Sequence, residues 1–215
     1  MKDNYPPEVL VDALQSFAHI EGVLKTVDEL LAEKAWKDED DVFIPSMPSH
    51  QKEVMKSILR KSRHYNLRVL YPATLCSSLF LTTYSLLEHS LDELAKSIAV
   101  ELKSTISLSD LNHRGIKRSR IYLEKIAMVN LPSDPKVWQR LDEANSIRNC
   151  LAHTGGRIES FEKGKEIKKI ISKDNSLVVV EGYLVLRRQY VLNFTELVTS
   201  IVQDILKLNY ERMPT

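Results

Sequence analysis

The stretch SIRNCLAHTGG, residues 146–156, sets Arg148, Asn149 and His153 close together ahead of two glycines. Histidine is the side chain whose ordinary pKa lets it take and give a proton near neutral pH. Arginine offers a planar fork that grips phosphate or carboxylate oxygens in pairs. An asparagine one turn before the histidine can orient its imidazole or hold an oxygen of a bound anion. At about 100° per residue, Asp142, Asn145, Asn149 and His153 share roughly a third of one helix circumference, with Val137, Ala144, Ile147 and Leu151 opposite. The polar stripe therefore faces away from the core, and Arg148 flanks it. Trp138 also falls on the polar side, which points to cover by a partner subunit. The bland alternative is a solvated face whose histidine sits at the negative end of the helix dipole.

Arg148, Asn149 and His153 spell R-N-x-x-x-H near the end of a late helix, in a chain whose central helix ends in LLEHSLDEL. This resembles the HEPN superfamily (higher eukaryotes and prokaryotes nucleotide-binding domain), whose signature is an arginine, usually a polar residue after it, then a histidine four to six residues on. The resemblance covers residues 50–210 loosely. It implies a metal-independent endoribonuclease, often a toxin or antiviral effector, whose motif helices meet across a two-fold dimer. In that reading His153 is the general acid or base, Arg148 clamps the phosphate, and Asn149 orients them. Glu88 and Asn145 support the site, with Glu88 pairing Arg148. The resemblance further implies a toxin-antitoxin or phage-defence setting with a restraining partner protein. The rival expectation is a catalytically silent module of the same kind that binds a nucleotide or a protein.

RNA needs a basic surface, and the overall charge does not supply one: 30 Lys and Arg nearly cancel 29 Asp and Glu. A local patch must do so. The best is NHRGIKRSR, residues 112–120, with Arg114, Lys117, Arg118 and Arg120 as candidate RNA contacts. A second basic stretch, Arg60, Lys61, Arg63, His64 and Arg68, suits a charged helix face better. Cys150 and His153 make a poor nucleophile pair, because no third member is visible. His19, His50, His89 and His113 show no metal-ligand spacing. No glycine-rich phosphate loop occurs. Neither a cofactor nor a metal is expected.

The elements that must carry these residues are mostly helices: six glycines and eight prolines punctuate the chain, and apolar residues recur at three and four. The pattern predicts helices over 7–36, from Ser49 until Pro72 kinks or ends it, over 72–102 as the central apolar helix, and over 116–129. Glu88 and His89 on that central helix need partners. The fifth helix starts at Ser133 or Asp134 with Pro135 in its first turn, and runs to His153. Valine- and leucine-rich runs around Glu181-Gly182 predict a hairpin near 176–191, and a last helix spans 194–210. The expected fold is a mainly α, up-and-down bundle of five to six helices with a small C-terminal β-hairpin, forming one domain over 1–215. The helix at 7–36 and the hairpin are additions to the motif-bearing part. Two cysteines and no leader pattern suggest the cytoplasm. The apolar run from Val69 reads as a buried helix rather than a membrane span, and the Asn193-Phe194-Thr195 sequon as chance.

Overall fold

A computed structural model describes residues 7–36 and 49–210. The fold is mainly α, a helical bundle with one small antiparallel hairpin near the C-terminus. The described residues form helices α1 (Pro7–Trp36), α2 (Ser49–Tyr65), α3 (Tyr71–Glu101), α4 (Gly115–Lys125), α5 (Pro135–Thr154), α6 (Gly164–Ile171) and α7 (Arg188–Tyr210). Strands β1 (Leu177–Val180) and β2 (Tyr183–Leu186) precede α7. No described helix is long and apolar enough to cross a membrane.

The most apolar helix is central, as its composition demands. Phe80, Leu87, Leu91, Leu94 and Ile98 of α3 are buried, and α3 packs against α1, α4, α5, α7 and β2. Phe80 meets Phe194 of α7 at 4.9 Å between ring centroids, and Tyr84 stacks on the same ring at 6.2 Å. Tyr84 is thereby anchored in the core with its hydroxyl reaching the protein's polar side. His89, expected to need a partner, is instead exposed.

Of the two expectations at Pro72, a kink or an end, the end does not occur: helical backbone continues into α3, which starts at Tyr71. Proline has no N–H to close a helical turn, and a π-helical turn at Asn66–Leu70, closed by Tyr71 N–H to Asn66 O, joins α2 to α3. Helix α5 matches its start and stop signals closely. Asp134 accepts a hydrogen bond from the Lys136 N–H at 2.9 Å, and Pro135 follows in the first turn. Gly155 takes the left-handed conformation (φ 59°), and the Gly155 and Gly156 N–H groups both return to Cys150 O.

Three boundaries depart from expectation. Helix α4 ends at Lys125, and Met128 turns the chain with a positive φ. Each strand is only four residues long, so α7 begins at Arg188, with Val191 already at helical spacing from buried Phe194. Helix α6 has no clear signal in the sequence, because half of GKEIKKII is charged; Ile167 and Ile170 bury its narrow apolar face. Glu181 and Gly182 both have positive φ, which gives the mirror-image turn that matches strand twist.

The hairpin is a brace for the motif helix. Gly156 O accepts from Leu184 N–H at 2.8 Å, Ile158 N–H donates to Gly182 O at 3.1 Å, and Arg157 bridges Tyr183. Gly156 has φ 86°, and a Cβ there would lie 3.2 Å from Leu184 O. The chain just past His153 is therefore laced to β2.

Candidate functional site

Helices α3 and α5 pack together, and polar side chains of the two meet. Tyr84 donates a hydrogen bond from its hydroxyl to Asn145 Oδ1 at 3.1 Å. Asn149 Nδ2 approaches the same oxygen at 3.4 Å, and Arg148 Nη1 donates to Asn149 Oδ1 at 2.9 Å. Arg148 Nη2 ends 4.0 Å from Glu88 Oε2, and its guanidinium lies 5.8 Å from the Tyr84 ring centre. A continuous polar chain thus runs from a core-anchored tyrosine to an arginine at the surface. Burial, and then the charge of Glu88, push the Tyr84 hydroxyl well above its ordinary pKa, outweighing Arg148. It stays protonated and keeps donating.

These residues border a cleft of about 570 Å³. His153 lies on its rim, exposed, and among the described residues no hydrogen bond holds its imidazole. The second wall is the start of α4, with Arg114, Lys117 and Arg120. Gly115, with φ 61°, presses this helix start against α3: a Cβ there would lie 3.2 Å from Glu88 Oε1. The third wall, Phe161, Glu162 and Lys163, lies in the turn before α6 and had no signal in the sequence beyond its position after the glycines.

The structure gathers Glu88, Arg114, Lys117, Arg120, Asn145, Arg148, Asn149 and His153 around one cleft, and it leaves Arg118 out. Arg118 Nη2 donates to Asp92 Oδ1 at 2.9 Å, one turn further along α3 than Glu88. With Ser119, it stands on the side of α4 that meets α3, while Arg114, Lys117 and Arg120 border the cleft. Arg118 is therefore removed from the basic patch as a free cation.

Trp138 is also corrected. It is 6% exposed, covered by its own chain: its indole Nε1 donates to Pro132 O at 2.8 Å, and the Arg120 guanidinium lies 4.0 Å over its ring. The loop entering α5 and helix α4 supply the cover that a helix projection cannot see. No second subunit is needed to explain this residue.

Cys150 lies about 60° round α5 from the exposed His153 and is itself buried. Burial pushes its thiol up despite the contact with Thr154 Oγ1 at 3.8 Å, which leaves it a packing residue. Among the described residues no group of three or more His, Cys, Asp or Glu side chains could hold a metal ion. The sequon threonine is fully buried inside α7 and bonded to Val191 O. In the second basic stretch Lys61 is exposed, while the side chains of Arg60, Arg63, His64 and Arg68 lie outside the described residues.

Comparison with protein-family models, curated proteins and solved structures finds no match to this chain.

Proposed function

We propose that the protein is a metal-independent endoribonuclease resembling the HEPN superfamily. The observation that carries this reading is the Tyr84–Asn145–Asn149–Arg148 chain, which holds a guanidinium in a cleft with a histidine one helical turn beyond. Arg148 binds the non-bridging oxygens of a phosphodiester and stabilises the charge that builds up on phosphorus. His153 moves the proton: it takes one from the ribose 2′-OH or gives one to the departing 5′-oxygen. The 2′-oxygen forms a bond to phosphorus as the bond to the 5′-oxygen breaks, leaving a 2′,3′-cyclic phosphate and a 5′-hydroxyl.

Among the described residues one chain brings a single histidine, His153, to this cleft. A homodimer paired through α5 brings two, so that one acts as base and its counterpart as acid. The setting we infer is a cytoplasmic toxin-antitoxin or phage-defence system, in which a partner protein restrains the nuclease. A binding-only module is the second reading, favoured by the imidazole's lack of an orienting partner among the described residues.

The test is cleavage of total cellular RNA in excess EDTA by the purified protein and by its R148A and H153A variants. The proposal expects cutting by the wild type alone, with cyclic phosphate ends. Folded, dimeric protein that leaves RNA intact, or products ending in 3′-hydroxyls, overturns it.

A further inference from the structure

The basic residues of the cleft are not alike. Arg114 and Lys117 are exposed at the start of α4. Arg120, one turn further, has one face of its guanidinium against the Trp138 indole at 4.0 Å. Its Nε edge lies 3.9 Å from Glu124 Oε2, and its side chain still keeps 35% of its surface exposed, bordering the cleft. The indole beneath is itself fixed by its bond to Pro132 O. Arg120 is therefore a cation held against an indole, with about a third of its side chain still exposed at the cleft.

The floor of the cleft continues that layout. Trp138, Asn145 and Asn149 follow one another at seven and four residues, so they lie on one line along α5. Trp138 sits ten residues before Arg148, about 15 Å along the helix axis. The Arg148 end is polar, with Asn145 and Asn149. The Trp138 end brings in apolar Leu141. A cleft of this size, about 570 Å³, matches the range of roughly 300–1,000 Å³ typical of small-ligand sites. It has room for more than a phosphate.

We infer that Arg120, backed by Trp138, is a nucleobase platform: a base of single-stranded RNA stacks on its guanidinium while the neighbouring phosphate lies toward Arg148. This rests on the proposed RNA-directed function and deepens it, reassigning Arg120 from a backbone contact to a base contact. Guanidinium planes stack on aromatic systems, and a lysine ammonium, a compact point charge, does not reproduce that surface.

The experiment measures binding, so that it does not depend on cleavage. The probes are a fully 2′-O-methylated RNA hexamer, which lacks the attacking hydroxyl, and the same hexamer made abasic at every position. They are titrated against wild type, R120A, R120K and R148A, each checked for its melting temperature. The wild type should prefer the base-bearing hexamer by about tenfold or more, and both R120A and R120K should lose most of that preference. R148A should weaken both probes alike. An R120K variant that keeps the base preference overturns the platform and makes Arg120 a plain phosphate contact. Binding without cleavage of unmodified RNA sinks the nuclease reading yet leaves the platform standing. No binding of either probe overturns both.

Discussion

Helix α3 offers two carboxylates one turn apart, Glu88 and Asp92, and each faces an arginine from another helix. The exposures are similar: 33% and 32% for Glu88 and Arg148, 19% and 30% for Asp92 and Arg118. The contacts are not. Asp92 Oδ1 takes Arg118 Nη2 at 2.9 Å and lies 3.4 Å from Ser119 Oγ, while Oδ2 takes Lys96 at 2.9 Å. Glu88 reaches Arg148 only at 4.0 Å, outside hydrogen-bond range. Burial pushes the Asp92 carboxyl up, but hydrogen bonds from Lys96 and Arg118 prevail and hold it below the ordinary 3.8. One pair is a finished clamp between α3 and α4. In the other, the guanidinium is aimed by Asn149 and still open to an incoming anion.

The largest expected effect separates the two arginines. Under the proposed chemistry, R148A and H153A each lower the cleavage rate on the order of a thousandfold, with melting temperatures close to wild type. R118A should do the opposite, cutting RNA at a near-normal rate while unfolding more easily. Parallel rate and urea-denaturation measurements decide it. If R118A loses as much activity as R148A, the distinction between clamp and open cation breaks.

D92N comes next. It leaves Arg118 half-buried beside a neutral amide, and Arg118 Nε is already buried without a partner among the described residues. The expected loss is about 1 kcal/mol, the value of a charge-assisted hydrogen bond discounted for partial exposure. The pH dependence follows from the direction of the shift. A carboxyl whose folded pKa lies below its unfolded value adds stability above the unfolded pKa, and that stability fades as pH falls through the folded one. The wild type should therefore lose a part of its stability below about pH 4 that D92N never had. Equal acid slopes in the two proteins would remove Asp92 as the cause.

G115A sits between the pairs. Its left-handed backbone costs a side chain about 1 kcal/mol, and the added methyl would press on Glu88 Oε1. A melting curve shifted down by a few degrees is expected, with the cleft's rim disturbed on the Glu88 side only.

How much of this was readable beforehand follows the range of each interaction. The start and stop of α5 are local: Asp134, Pro135 and Gly155 act on their own turn, and the chain obeys them. The same holds for the polar stripe of Asp142, Asn145, Asn149 and His153, and for the mirror-image turn at Glu181-Gly182. Trp138 misled because a helix projection knows nothing of Pro132 and Arg120, which cover it. Arg118 misled because Asp92, its partner, lies 26 residues away on another helix. Helix α6 was hidden because two isoleucines suffice to bury a helix of eight residues. The hairpin's role as a brace for the chain after His153 depends on Gly156 meeting β2, and no local pattern records that.

The smallest effect is the most discriminating. E88Q preserves shape and removes the charge facing Arg148. A pair at 4.0 Å between side chains one-third exposed contributes little, so unfolding should shift by less than about 0.5 kcal/mol. Under the proposed function the cleft also loses a charge that repels phosphate, and KM should fall about two- to threefold. The two numbers constrain each other. If E88Q destabilised the protein as much as D92N does, Glu88 would be a clamp like Asp92, and Arg148 would be bound up in the fold rather than open to an anion. If stability held and KM rose instead, Glu88 would be positioning the guanidinium for substrate, and the 4.0 Å contact would count as part of the site's alignment.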